Sequence, residues 1–256
     1  MTNGIHDPAL QCAEMIRKAN NIVLFSGAGM STAAGIPDFR GPNGIYKRAE
    51  IDNPELIFEI GFFRRDPSLF YRFYKEFLSA VDQIKPTFAH RFFAALEAKG
   101  KLQGVVTQNI DSLHQAAGSR NVLEIHGGIW DNYCMDCRTH HSIEETTALA
   151  FTDDIARCKE CSGVIKPDVV FFGEPVKHLD ACGEMVGKSD LLFILGSSLV
   201  VTPAALLPSL ARGKIIVVNQ GEVSEAFMPA GRIDLFADRE IDGFFKAVNE
   251  HLQIME

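Results

Sequence analysis

The chain has six cysteines, and four of them fall in two tight pairs, Cys134-Met-Asp-Cys137 and Cys158-Lys-Glu-Cys161. Two CxxC knuckles about 20 residues apart offer four thiolates to one tetrahedral ion, the donor set of a closed structural zinc site with no position left for a substrate. Disulfides are the competing chemistry, but Met1 to Asn20 is mixed polar and charged, without the basic start and apolar run of a secretory leader. A reducing, cytoplasmic setting is expected, and there paired CxxC motifs favour metal. The metal then holds structure, and any reaction belongs to other residues. Cys12 and Cys182 are unpaired in sequence and read as small core residues.

A second group of residues suits a phosphate-bearing ligand. The apolar run Ile22 to Phe25 leads into Ser26-Gly27-Ala28-Gly29-Met30-Ser31-Thr32, a glycine-rich turn at the expected start of a helix. Backbone N–H groups in such a turn can approach a pyrophosphate closely. The same glycines can instead serve close packing of strand on helix. The third glycine of a dehydrogenase fingerprint is replaced by Thr32, and no acidic residue stands at a clear strand end about 20 positions on, which disfavours hydride transfer. Next comes Gly35-Ile36-Pro37-Asp38-Phe39-Arg40-Gly41, in which Arg40 can neutralise phosphate and Phe39 can cover a flat ring. A single histidine, His126, stands between an apolar run and two glycines; a neutral imidazole accepts a proton near physiological pH.

These residues need a frame, and the hydrophobic pattern supplies one. Ile22 to Phe25, Val105 to Thr107, Val122 to Ile125, Val169 to Phe172, Leu191 to Leu195 and Ile215 to Val218 read as strands buried on both faces, several of them separated by stretches of helical length. That alternation predicts an α/β protein: a doubly wound parallel sheet with helices on both faces and ligands at the carboxyl ends of the strands. Two stretches depart from it. Residues 41–85 read as a helical insertion with an apolar stripe of Leu69, Phe70, Phe73, Phe77, Leu78 and Val81, and 130–167 as a zinc module. Together they form a small lobe beside a main domain made of 1–40, 86–129 and 168–256, and the cleft between lobes is the natural site.

Composition narrows the partners. A chain of 256 residues, 46% hydrophobic and 23% charged, suits one large domain with a satellite, and no apolar run approaches membrane-spanning length. A net charge of −8 argues against direct nucleic-acid binding. Between Trp130 and Ile165 seven acidic residues oppose three basic ones, a balance of −4, which also disfavours a zinc-ribbon DNA reader.

The ordered set Gly27-Ala28-Gly29-Met30-Ser31, Gly35-Ile36-Pro37-Asp38-Phe39-Arg40, Gln108-Asn109-Ile110-Asp111-Ser112-Leu113-His114, His126-Gly127-Gly128, the four cysteines and Gly196-Ser197-Ser198-Leu199 resembles the sirtuin (Sir2-like) family of NAD-dependent protein deacylases. The resemblance runs from about Asn20 to Ala237. It implies a Rossmann-like NAD-binding domain and a zinc-bearing lobe, with acyl-lysine proteins or peptides as partners. It places Gly27, Ala28, Gly29, Phe39 and Arg40 around the pyrophosphate and nicotinamide ribose, Gln108 on ribose, and Asn109, Ile110 and Asp111 at the carboxamide. Gly196, Ser197 and Ser198 fall at the adenosine phosphates, and Asn219, Gln220, Gly221 and Ala237 toward the adenine end. Asp111 also reads as a helix cap, and both roles are compatible.

His126 matches the family's general base, which activates the ribose 2′-hydroxyl. Cys134, Cys137, Cys158 and Cys161 match its zinc ligands. Val169, Val170, Phe171, Phe172, Gly173 and Glu174 match its peptide-binding segment, where a strand edge can take the substrate as an added strand. NAD is consumed, with lysine, nicotinamide and 2′-O-acetyl-ADP-ribose as products. Relatives that prefer acidic acyl groups carry Tyr-x-x-Arg in the insertion. The stretch Tyr74-Lys75-Glu76-Phe77 lacks that Arg, so acetyl-lysine is the expected substrate. Mono-ADP-ribosyl transfer ranks lower, because no dedicated acid stands on an acceptor side.

Overall fold

The computed structural model describes residues 7–36, 53–81 and 84–255. Nine strands are found among them: β1 (Ile22–Ser26), β2 (Leu102–Thr107), β3 (Val122–Glu124), β4 (Gly127–Cys134), β5 (His140–Ser142), β6 (Ile165–Val169), β7 (Leu191–Leu195), β8 (Lys214–Val218) and β9 (Leu235–Ala237). Six form one sheet in the order β3-β2-β1-β7-β8-β9, parallel throughout, and the other three form a small antiparallel sheet in the order β5-β4-β6.

All five residues of both β1 and β7 are buried, which is why each reads as an unbroken apolar run. One face packs on helices Pro8–Lys18, Phe88–Ala98 and Ile241–Leu252, where Phe92, Phe93, Phe193 and Phe245 lock together edge to face. The opposite face packs Val23, Phe25, Val106 and Ile194 against Val186 and Leu207. The order of strands reverses at β1, between its two neighbours β2 and β7, and such a switch point opens a crevice at the carboxyl ends of the strands.

The small lobe has its own core. Phe58, Phe63, Phe70, Tyr71, Tyr74 and Phe171 pack with Ile165 and with Cys134 and Cys158. Helix Ser68–Val81 supplies much of it, with Phe70, Tyr71, Tyr74, Phe77 and Leu78 buried at helical spacing. One expected strand belongs elsewhere. The run Val169 to Phe172 does not join the parallel sheet: β6 ends at Val169 on the edge of the antiparallel sheet, and Phe172 makes only an isolated bridge to Glu59. Pro167 inside β6 fits an edge and would interrupt a central ladder. The small sheet therefore extends from Gly127 to Val169.

Candidate active site

A cavity of about 520 Å³ lies over the carboxyl ends of β1, β2, β7 and β8, well within the range of small-molecule sites. Its wall contains Gly27, Ala28 and Gly29 after β1, Gln108, Asn109 and Ile110 after β2, and His126 after β3. Gly196, Ser197 and Ser198 come after β7, Asn219, Gln220 and Gly221 after β8, and Val169 to Glu174 line it from the small lobe. Two anticipated residues are not on that wall. Asp111 lies buried behind Asn109, and Ala237 accepts the Asn219 N–H through its carbonyl at 3.2 Å without reaching the cavity. Phe39 and Arg40 lie outside the described residues.

The glycines answer a packing demand as well as a binding one. A Cβ on Gly27 would stand 2.7 Å from the Gly196 carbonyl oxygen, and one on Gly29 2.7 Å from the Gly196 Cα. The β1 and β7 loops thus touch backbone to backbone, with Gly29 N–H donating to Gly196 O at 2.9 Å. From β1 the chain enters a short 3₁₀ turn, Ala28–Ala34, closed by Gly35 at φ +96°. A helical segment does begin after the glycine-rich turn, as expected, and it takes the tighter 3₁₀ form. The half-buried Ala28 N–H makes no bond with a described residue and stands at the cavity wall, as an anion-binding turn requires.

Hydrogen bonds fix the orientations of the polar side chains. Gln108 donates from Nε2 to Ser197 Oγ at 2.8 Å. Asn109 donates from Nδ2 to Ser31 Oγ at 3.2 Å, and that hydroxyl donates to Asp111 Oδ2 at 2.7 Å. Asp111 Oδ1 accepts Leu113 N–H at 2.9 Å, but the N-cap of helix Leu113–Ala116 is Ser112, so Asp111 stands one residue before the cap position. Burial pushes the Asp111 carboxyl above the usual carboxylate range, against the opposing pull of these donors.

A second chain of bonds supports Asn109 from below. His114 Nε2–H reaches Ser26 Oγ at 2.8 Å, the serine hydroxyl donates to Thr107 Oγ1 at 2.9 Å, and the same oxygen accepts Asn109 N–H at 3.0 Å. The buried His90 ring lies 4.7 Å from that of His114.

His126 lies in the turn between β3 and β4 and is held by the residue after β2 and by the residue after β6. Its Nδ1–H donates to the Gln108 carbonyl at 3.0 Å, which leaves Nε2 as the lone-pair nitrogen. Burial pushes its pKa below the ordinary histidine value, partly offset by that hydrogen bond. Its carbonyl accepts Val170 N–H at 2.8 Å. Gly127, at φ +69°, has no room for a side chain: a Cβ there would fall 1.9 Å from Asp168 O.

The four cysteines converge. Their sulfurs all lie within 4.8 Å of one another, with Cys134 to Cys161 at 3.4 Å and Cys137 to Cys158 at 3.7 Å. A tetrahedral ion bonded to sulfur at about 2.3 Å needs sulfurs about 3.8 Å apart, and disulfides need about 2 Å, so the cluster fits zinc. His140 and His141 are not needed: they turn to Asp131 and Glu145. Burial raises the thiols of Cys12 and of Cys182, the latter to about 11, as befits inert core residues.

The stretch expected to meet the acyl group does not do so. Tyr74 stacks on Phe70 and Phe77 on Phe73 inside the small-lobe core, and neither lines the cavity. Lys75 is engaged with Asp154 at 2.7 Å. The helical stripe needs these rings for packing, and among the described residues of the insertion it is Phe58 that reaches the cavity. Sequence reasoning passes over it, along with Leu199 to Pro203, which line the same cavity, although the Gly196-Ser197-Ser198-Leu199 motif leads directly into that loop.

An all-parallel sheet with a small-molecule-sized cavity at its switch point, joined to a lobe with a four-thiolate site, defines the class: an α/β protein with a metal-binding satellite. The Sir2 family model matches residues 27–203, and the chain belongs to that family. It is 43% identical over 215 residues to the NAD-dependent protein deacetylase of Thermotoga maritima, covering 82% of this chain and 85% of that one. It is 41% identical over 251 residues to the protein of the same name from Sulfolobus acidocaldarius, covering 96% of each. Its fold is similar to a solved Sir2 complex with a p53 peptide and NAD⁺, with a TM-score of 0.86 at 36% identity, over 96% of this chain and 98% of that one.

Proposed function

We infer that this chain is an NAD-dependent protein lysine deacetylase that releases nicotinamide and 2′-O-acetyl-ADP-ribose. The observation that carries the chemistry is the His126 imidazole: its Nδ1–H is committed to the Gln108 carbonyl, and the ring lines the cavity, so Nε2 is the atom that can take a proton from the ribose 2′-hydroxyl. Burial keeps that nitrogen unprotonated at neutral pH. NAD supplies the electrophilic ribose carbon and the nicotinamide leaving group.

The remaining residues bind and orient. Gly27 to Gly29 and Gly196 to Ser198 would hold the phosphates, Gln108 the ribose, Asn109 and Ile110 the carboxamide, and Asn219 to Gly221 the adenosine end. Asp111 would act through Asn109 as a positioning residue. Val169 to Glu174, which line the cavity together with Leu199 to Pro203, would hold the peptide by main-chain hydrogen bonds. Phe58, Ile110, Val169 and Phe171 give the lobe side of the cavity an apolar wall, which favours a neutral acyl group over a carboxylate. The working division is a main domain of 1–40, 86–129 and 168–256 with a lobe of 41–85 and 130–167, the small sheet and its core reaching past these bounds to Gly127 and Phe171.

No helix among the described residues is long and apolar enough to cross a membrane. Four free thiols grouped for zinc favour the reducing cytoplasm. The test is mass spectrometry of one acetyl-lysine and one succinyl-lysine peptide, each with and without NAD. Acetyl loss only with NAD, matched by O-acetyl-ADP-ribose, is expected. Faster succinyl loss would overturn the acyl preference, and no reaction on either would overturn the function.

A further inference from the structure

A second concavity, of about 210 Å³, shares Val169, Val170 and Glu174 with the wall of the main cavity. Four cationic side chains line it, Arg64, Arg138, Lys166 and Lys177, against two carboxylates, Asp168 and Glu174. The lysines are neutralised: Lys166 Nζ lies 2.8 Å from Glu174 and also donates to the Val169 carbonyl at 2.5 Å, and Lys177 pairs with Asp168. The two arginines are not. Arg64, exposed in the last turn of helix Ile60–Arg65, and Arg138, exposed over the Tyr133 ring at 5.8 Å, form no ion pair with a described residue. Two uncompensated guanidinium groups thus stand in one pocket of a chain whose net charge is −8.

We propose that this pocket receives an Asp or Glu side chain flanking the acyl-lysine, so that the enzyme selects substrates with acidic flanks. The proposal rests on the reading of Val169 to Glu174 as the peptide-binding segment, because that segment walls both cavities. A peptide extended along it advances about 3.3 Å per residue, so flanking residues a few positions from the lysine come within reach. Arginine presents a planar fork that matches a carboxylate, and the Tyr133 ring beneath Arg138 restricts that fork to few orientations. A lysine-rich flank would meet two unpaired positive charges and be disfavoured, which sets specificity as much by repulsion as by attraction.

One acetyl-lysine sequence carrying Ala, Glu or Lys at the positions on either flank decides the matter. Both kcat/KM with NAD and affinity by fluorescence polarisation are measured for each peptide. With Glu on one flank, kcat/KM should exceed that of the Ala peptide by about fivefold at low ionic strength and approach it in 0.5 M salt, as partly exposed charge pairs do. The double variant R64Q/R138N should lose this preference while its rate on the Ala peptide stays within about twofold; Asn suits position 138 because the backbone there has φ +64°. Arg64→Glu alone, on an exposed helix end, should shift the preference toward the Lys-flanked peptide.

Equal kcat/KM for Ala and Glu peptides on both flanks, or a preference unchanged in R64Q/R138N and R64E, would overturn the proposal. Failure of the deacetylase reading is visible separately, as absence of NAD-dependent acetyl loss from the Ala peptide. In that case polarisation still decides the pocket: tighter binding of a Glu-flanked peptide to the wild type than to the double variant supports it, and equal affinity overturns it.

Discussion

Acidification should destabilise this protein well before its carboxylates titrate, because two neutral histidines are sealed beneath the site. His90 and His114 are both buried, and burial holds the His90 imidazole at about 4, against an ordinary value of 6.5. It holds His114 well below that value too, with the neighbouring His90 ring adding to the effect. An unfolded chain takes up these protons as the pH falls through 6.5, whereas the folded chain does not, so stability declines from about pH 7 toward pH 4. For His90 alone the loss is about 2 kcal/mol at pH 5 and about 3 kcal/mol once fully developed, at about 1.4 kcal/mol per pH unit of separation. His114 adds to it in the same direction. Carboxylates held below their ordinary values, such as Glu59, Asp66 and Asp154, keep their full contribution down to about pH 5 and lose it only below that. Asp111, whose carboxyl is raised, acts in the opposite sense, and its effect is common to wild type and variant. Urea unfolding followed by far-ultraviolet circular dichroism at pH 7.5 and 5.0 is the assay. The wild-type midpoint should fall by about 1 M. In the variant H90N/H114Q, which keeps the bond of His90 Nδ1 to Thr87 and of His114 Nε2 to Ser26, that part of the fall should vanish. Equal pH-dependent losses in the two proteins would refute the reasoning.

The geometry sets four other outcomes. His126→Ala should lower turnover by at least about 100-fold while leaving NAD affinity nearly unchanged by calorimetry, and the wild-type acid limb of kcat/KM should fall below pH 6.5 because burial lowers this pKa; near-normal turnover in the variant would remove the general-base role. Gly127→Ala meets both φ +69° and a carbonyl 1.9 Å from its new methyl, so a loss of more than about 3 kcal/mol is expected in thermal unfolding, and an unchanged melting temperature would contradict it. The purified protein should contain one zinc per chain by elemental analysis, and a strong chelator should abolish activity; full activity after complete metal removal would exclude a structural role. Lys166→Met should leave Glu174 without its partner and loosen the Val169 to Glu174 segment, raising the peptide KM more than it lowers kcat, whereas an unchanged KM would show that the Lys166 contacts do not hold the segment.

The parts legible in the sequence are those governed by a single physical demand. Leu191 to Leu195 has to be a strand buried on both faces, and β7 has those bounds, because five apolar residues in a row leave no face for water. The four cysteines are legible because tetrahedral coordination fixes both their number and their spacing. Segments serving two demands mislead. Val169 to Phe172 is as apolar as a central strand but lies at a sheet edge and on a cavity wall, and only Pro167 distinguishes the two. Position along the chain assigns Tyr74 and Phe77 to ligand binding, whereas the lobe core claims both rings. The three-residue strand β9 is too short to leave a pattern, and the His114, Ser26, Thr107 and Asn109 chain joins residues up to 88 positions apart, which no local reading could connect.

The arrangement of β4 and β6 explains why a metal so far from the chemistry should matter to it. At one end of this antiparallel pair Gly127, next to His126, stands opposite Val169, where the Val169 to Glu174 segment begins; at the other, Cys134 stands opposite Ile165. On β6 the same two ends, Ile165 and Val169, are four steps or about 13 Å apart, beyond a Debye length of about 8 Å, so the zinc exerts at most a weak direct electrostatic influence on His126. What it can fix is register. The ladder is irregular between Gly127 and Asn132, and beyond that break the near end is held by the Gly127 to Val169 pairing, the close approach of Gly127 to Asp168 O and the His126 carbonyl bond to Val170 N–H. With the far end clamped by four thiolates, a slip of the pair would have to break metal bonds, so His126 and the Val169 to Glu174 segment stay aligned.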